Sequence, residues 1–430
     1  MSDMALLNQT DRTTKPQLNA WLSAFVGWVF DYYEIFLVTF LAVQISQEFD
    51  LHPGQTAYFF SLQLAALAIG GVLFGFLADR FGRQRILMWT IVIYSVFTLA
   101  RAFAPNYEVL LVLTVFAGIG LGGEFGVGQT LVSEVMPARR RGWWSSMLYS
   151  GTYVGKTFAV IVGGVVLGAI GWRWVFVVSS VPIVVALIVR FAAPESDVWQ
   201  RRRERAPTDW SILRRKAFLV PFALCVFAGV FQFFAFYGVT SFLPTYLIEN
   251  QGFSFGKTAW WIFLSTVAGF LGCVMGAYTT DRWGRRITLT YLAGTAAVGG
   301  LVLAYTWESL LGSLWILVPF FFHYLGTAAV SVFGALFSEQ FPTEVRSTGV
   351  SASLQVARGL SFFPPLLTAA IYPVYGYQVI VYVGAALFAA LAVIAWLFKD
   401  SRGKNVDQVD AATSADASAA VPNVAEEPTQ

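Results

Sequence analysis

The runs "FFSLQLAALAIGGVLFGFLA" (59–78) and "VIVYVGAALFAALAVIAWLF" (379–398) leave this chain few ways to fold. Neither holds a charged residue, and each is far longer than a buried strand. At ~1.5 Å of rise per residue, such a helix matches a hydrocarbon core of about 30 Å. Composition extends the point to the rest of the chain. Of 430 residues, 57% are hydrophobic and only 12% charged, about half the charge of an ordinary soluble domain. The sequence describes an all-α polytopic membrane protein.

Hydropathy divides it into twelve expected transmembrane helices: 19–42, 56–78, 86–104, 107–133, 143–170, 172–193, 217–247, 257–280, 287–307, 310–338, 347–372 and 374–398. Lys and Arg gather after the even-numbered spans, at Arg80, Arg83 and Arg85, at Arg139, Arg140 and Arg141, within 201–216, at Arg282, Arg285 and Arg286, and at Arg346. Arg173 and Lys257 are the near exceptions. The positive-inside rule then places both termini in the cytoplasm, as expected of a multi-pass protein of a bacterial inner membrane. The first eighteen residues are polar and read as a cytoplasmic N-terminus rather than a cleaved signal. The stretch from 399 to 430 has no apolar stripe and reads as a disordered cytoplasmic tail. The two cysteines, Cys225 and Cys273, lie in separate apolar segments, which argues against a disulfide framework or a zinc site.

The chain repeats itself. "ADRFGRQR" (78–85) recurs as "TDRWGRRI" (280–287), about 202 residues on. Glu134, Pro137 and Arg141 recur as Glu339, Pro342 and Arg346, 205 residues on. Two independent motifs with nearly one offset imply two pseudo-symmetric six-helix halves, 19–193 and 217–398, joined by a basic linker, 194–216.

"GFLADRFGRQR" with its copy, the two E-x-x-P-x-x-x-R loops and "PES" (194–196) resemble the major facilitator superfamily. "DYYE" in span one and "GIGLGGEFGVGQTLVSEVMP" (118–137) are similar to its branch of organic-acid:proton symporters, which covers metabolite, sialate and aromatic-acid carriers. That branch usually has Gly-Phe between two aspartates, where this chain has Tyr32 and Tyr33 before Glu34. The resemblance implies alternating access, the halves rocking about a site near the midplane. It also implies gating loops made of Asp79, Arg80, Gly82 and Arg83, of Asp281, Arg282, Gly284 and Arg285, and of Glu134, Arg141, Glu339 and Arg346. The alternative is that these arginines only hold their loops in the cytoplasm.

Charges deep in spans need a use, because an unpaired ion costs several kcal/mol there. Asp31 and Glu124 come out ~15 Å deep, Arg358 ~18 Å and Lys156 ~22 Å. Applying the repeat offset to Lys156 lands one helical turn from Arg358, so each half contributes one cation, and an anion could be held between them. Arg358, with its planar fork, is expected to anchor a carboxylate, and Lys156 to add attraction. Asp31, Glu34 and Glu124 give three acids against those two cations, so at least one is expected to carry a proton and serve coupling. A hydrogen-bonded structural pair is the competing account. His323 has the right chemistry for proton transfer, although a lone histidine in an apolar span is often a satisfied core residue. Gln232, Tyr237, Gln355, Gln129 and Tyr33 are further substrate-binding candidates.

The expected function is proton-coupled uptake of a small organic carboxylate with an apolar or aromatic body. Proton-antiport efflux of drug-like compounds is a second reading, weakened because "GTYVGKTFAVIVGG" (151–164) lacks the Gly-Pro of exporters. Sugar transport is a third. No nucleophile with a base, metal cluster or phosphate loop points to an enzyme. The expected partners are the organic anion, protons and the lipid bilayer, with no cofactor, no metal and no nucleic acid, and the protein is expected to be a monomer.

Overall fold

The computed structural model describes residues 13–51, 53–137, 140–162, 170–180, 200, 210–247, 251–310, 312–342 and 345–399, and these are helical with no strand among them. Span one is Lys15–Glu48, two Pro53–Phe81, three Arg83–Arg101 and four Tyr107–Val135. Span five is two helices, Arg141–Tyr149 and Gly151–Ile161. Span seven is Lys216–Thr245, eight Phe255–Trp283 and nine Arg285–Leu310. Span ten runs through Leu317–Gly326, a 3-10 stretch Thr327–Val332 and Phe333–Ser338. Span eleven is Arg346–Leu360 followed by Phe363–Tyr375, and span twelve is Tyr377–Ile394. The "PES" of span six, the run 201–205 and the tail lie outside the described residues.

Eight of these helices are long and apolar enough to cross a membrane, against the twelve spans expected. The physical reasons are local. Span eleven restarts just before Pro364, which suits the first turn of a helix but not its interior. Span five pauses at Ser150, whose hydroxyl donates to the Met147 carbonyl at 2.7 Å. Span three is continuous, but only 19 residues long with arginine at both ends. Span six lies mostly outside the described residues.

Local chemistry sets the ends. Asn106 caps span four by accepting the Val109 N–H at 2.9 Å, and Ser254 caps span eight through Lys257 N–H at 3.3 Å. Gly82 and Gly284 have φ of 108° and 99°, a region only glycine enters cheaply, so both copies of the motif turn sharply before Arg83 and Arg285.

Packing shows the repeat in three dimensions. Span two packs on four as eight packs on ten, one on five as seven on eleven, and three on four as nine on ten. Between the halves, span two meets eleven, and five meets eight, which are images of each other. The approach is close: a methyl group on Gly126 of span four would lie 2.2 Å from Ser351 Cα of span eleven. The chain is a twelve-helix fold in two six-helix halves.

Candidate functional site

At the arginine-loop end, the halves are locked by two related devices. Asp79 of span two accepts the backbone N–H groups of Ser347 at 3.3 Å and Thr348 at 2.7 Å, together with the Thr348 hydroxyl at 2.7 Å. Asp281 of span eight accepts the N–H groups of Gly142 at 2.9 Å and Trp143 at 2.7 Å. Each carboxylate thus meets the positive N-terminus of a helix from the other half. Glu134 pairs with Arg83 at 3.1 Å and with Arg346 of the other half at 3.7 Å. Glu339 does the same with Arg285 at 2.9 Å and Arg141 at 3.9 Å. Arg80 and Arg282 are each exposed beside an aromatic ring of their own helix, Phe81 and Tyr278.

Arg358 of span eleven is fully buried deeper in the protein. Its Nη1 donates to Asp31 Oδ2 of span one at 3.4 Å, joining the halves. The guanidinium lies over two rings of span one, 4.7 Å from the centroid of Tyr32 and 5.5 Å from that of Trp28. These rings are fixed in turn. Tyr32 meets the Tyr149 hydroxyl at 3.3 Å, and the Trp28 indole donates to Thr152 at 3.0 Å. Arg358 Nε and Nη2 and Asp31 Oδ1 are buried without a hydrogen-bond partner among the described residues. Gln232 and Tyr237 of span seven add two more such atoms, Oε1 and the phenol oxygen, with the Gln232 amide held by the Thr327 carbonyl at 2.9 Å. Tyr237 neighbours the Arg358 guanidinium.

Lys156 is buried in span five. Its ammonium donates to Ser265 of span eight at 3.3 Å and lies 5.3 Å from the centroid of Phe36. No carboxylate lies within 4 Å of it among the described residues.

Sequence reasoning missed Arg101. It is buried at the end of span three, bonds the Glu34 carboxylate and Thr98, and lies 4.6 Å from the Phe176 centroid. Nothing near Arg101 marks it, since Glu34 is 67 residues away and its position looks like a helix end. The count of three acids against two cations therefore becomes three against three, and Glu34 belongs to a pair inside one half. Asp31, three residues earlier, crosses to the other half instead. Glu124 accepts from the Thr90 hydroxyl within the first half.

The remaining candidates sit apart from Arg358 in their bonding. Tyr33 bonds Ser179 at 2.6 Å. Gln129 donates to the Ser145 carbonyl at 3.2 Å and accepts its hydroxyl at 2.7 Å. Gln355 spends its amide on the Gly122 carbonyl, tying span eleven to span four. His323 bonds the Ala296 carbonyl at 2.9 Å and packs edge-on against Phe388. Both contacts lie within the second half.

Comparison with known proteins agrees with this architecture. The sequence model of the Major Facilitator Superfamily matches residues 21–364. The 3-(3-hydroxy-phenyl)propionate transporter of Escherichia coli is 30% identical, over 75% of this chain and 79% of its own. The cis,cis-muconate transport protein of Acinetobacter baylyi is 29% identical, over 79% and 84%. The sialic acid transporter NanX of E. coli is 27% identical, over 88% and 93%. Among solved structures, the proton:xylose symporter XylE bound to 6-bromo-6-deoxy-D-glucose superposes with a TM-score of 0.79 at 17% identity, covering 92% of this chain and 98% of its own. The relatives are transporters and not enzymes, and this chain belongs to the Major Facilitator Superfamily.

Proposed function

We propose that the protein is a secondary transporter that takes up a small organic carboxylate together with a proton by alternating access. The observation that carries this reading is the Arg358–Asp31 pair. It bridges the halves in the buried core, and both partners keep unused hydrogen-bonding atoms. A substrate carboxylate suits the fork of Arg358 and competes there with Asp31. A displaced, still ionised Asp31 would be an uncompensated buried charge, so it takes a proton as substrate binds. Substrate and proton are then bound and released together. The relatives support the substrate class, since muconate, hydroxyphenylpropionate and sialic acid are all organic acids.

The loop-end locks form the cytoplasmic gate in this reading, and the Asp79 and Asp281 contacts break as the halves rock to release substrate inward. The protein works as a monomer in the bacterial inner membrane with both termini cytoplasmic. The test is proton movement in lightly buffered reconstituted vesicles. Adding the transported acid outside should alkalinise the medium with wild type and leave it unchanged with Arg358→Gln. Acid uptake without any proton movement would overturn the coupling.

A further inference from the structure

Arg358 and Lys156 do not converge on one point. Each lies beside a different ring of a stacked pair. Arg358 lies 4.7 Å from the Tyr32 centroid, Lys156 lies 5.3 Å from the Phe36 centroid, and the two rings, four residues apart on span one, stack with centroids 6.0 Å apart at 28°. One turn of helix separates the rings, a step of ~5.4 Å. Each ring of this shelf therefore has a cation beside it.

The two cations differ in what compensates them. Arg358 has Asp31 at 3.4 Å. Among the described residues Lys156 has only the Ser265 hydroxyl, which already donates its own proton to the Ile262 carbonyl at 2.6 Å. An ammonium carries three donors, so two find no acceptor there. The other buried acid on span one, Glu34, is committed to Arg101. A monocarboxylate on Arg358 would leave Lys156 a buried charge with no counter-ion, an expensive state. A second carboxylate would supply it.

We infer that the substrate is a dicarboxylate, lying along the Tyr32–Phe36 shelf with one carboxylate on Arg358 and the other on Lys156 and Ser265. Its acidic groups lie at opposite ends of the molecule, as in a para-substituted aromatic diacid or a six-carbon linear one. This rests on the reading of Arg358 as a carboxylate anchor. In the loaded site the two cations balance the two carboxylates, while Asp31 carries its proton. Lys156 belongs to span five and Ser265 to span eight, so the second carboxylate also bridges the halves.

The test uses the purified full-length protein in nanodiscs and two matched pairs of probes, terephthalate with 4-methylbenzoate and adipate with hexanoate. Calorimetric titration should show at least one diacid binding tenfold or more tightly than its monoacid. Lys156→Met should reduce that diacid to the affinity of its monoacid, and Lys156→Arg should retain most of the preference. Diacids no tighter than monoacids in the wild type, or equal weakening of both by Lys156→Met, would overturn the inference while leaving a monoacid site at Arg358. Failure of every carboxylate to bind would bring down the carboxylate reading along with it.

Discussion

The Asp79 carboxylate of one half accepts both the backbone N–H and the side-chain hydroxyl of Thr348 in the other, each at 2.7 Å. Bonds from a helix N-terminus to an ionised acceptor are among the stronger ones, and both donors are buried. In the proposed cycle they break when this end of the bundle opens.

Asp79→Ala is accordingly expected to shift the protein toward the state open at this end. Ser347 is fully buried here. A cysteine at that position should react with a membrane-permeant maleimide several-fold faster in the Asp79→Ala background. An unchanged rate would mean that the contact does not hold the gate.

Gly126 tests the same closure sterically. Gly126→Val would push side-chain carbon into Ser351, in place of a backbone contact that leaves no room even for a methyl group. Transport should fall at least tenfold, while the variant still reaches the membrane in wild-type amount, since the clash is between halves and not within one. Wild-type transport would contradict the observed approach of spans four and eleven.

The Arg101–Glu34 pair should matter for stability more than for turnover. Removing one partner of a buried pair strands the other, at a cost of about 3–5 kcal/mol. Arg101→Leu should therefore lower thermal stability sharply, and the double change Arg101→Leu with Glu34→Leu should recover most of the loss. If the double variant is as unstable as the single one, the pair does more than neutralise itself.

His323→Gln keeps a polar side chain at the position that bonds the Ala296 carbonyl. It is expected to lose some stability and retain uphill, proton-driven accumulation. Loss of accumulation with intact counterflow would return His323 to the proton path.

Much of the fold was legible because membrane burial writes itself in hydropathy. The repeated loops announced the two halves. Asp31, Lys156 and Arg358 stood out as charges in apolar surroundings, and all three are buried at contacts between the halves. What sequence could not supply was pairing. Arg101 meets Glu34 from another helix, and no local spacing records that meeting. Tyr33, Gln129, Gln355 and His323 looked available because their partners, Ser179, Ser145 and two backbone carbonyls, are ordinary groups visible only in three dimensions. The expected span 347–372 ran across the break before Pro364, and the 3-10 stretch at Thr327–Val332 carries no proline to announce it.

Uphill uptake and counterflow, measured side by side in vesicles carrying Asp31→Asn, test the exchange at Arg358 most directly. An asparagine cannot hold or release the coupled proton, yet it leaves Arg358 free for the substrate carboxylate. Accumulation under an imposed pH gradient should vanish, while counterflow with no gradient should continue at a rate within a few-fold of wild type. Accumulation that persists in Asp31→Asn would contradict the account and move proton coupling away from the Arg358–Asp31 pair.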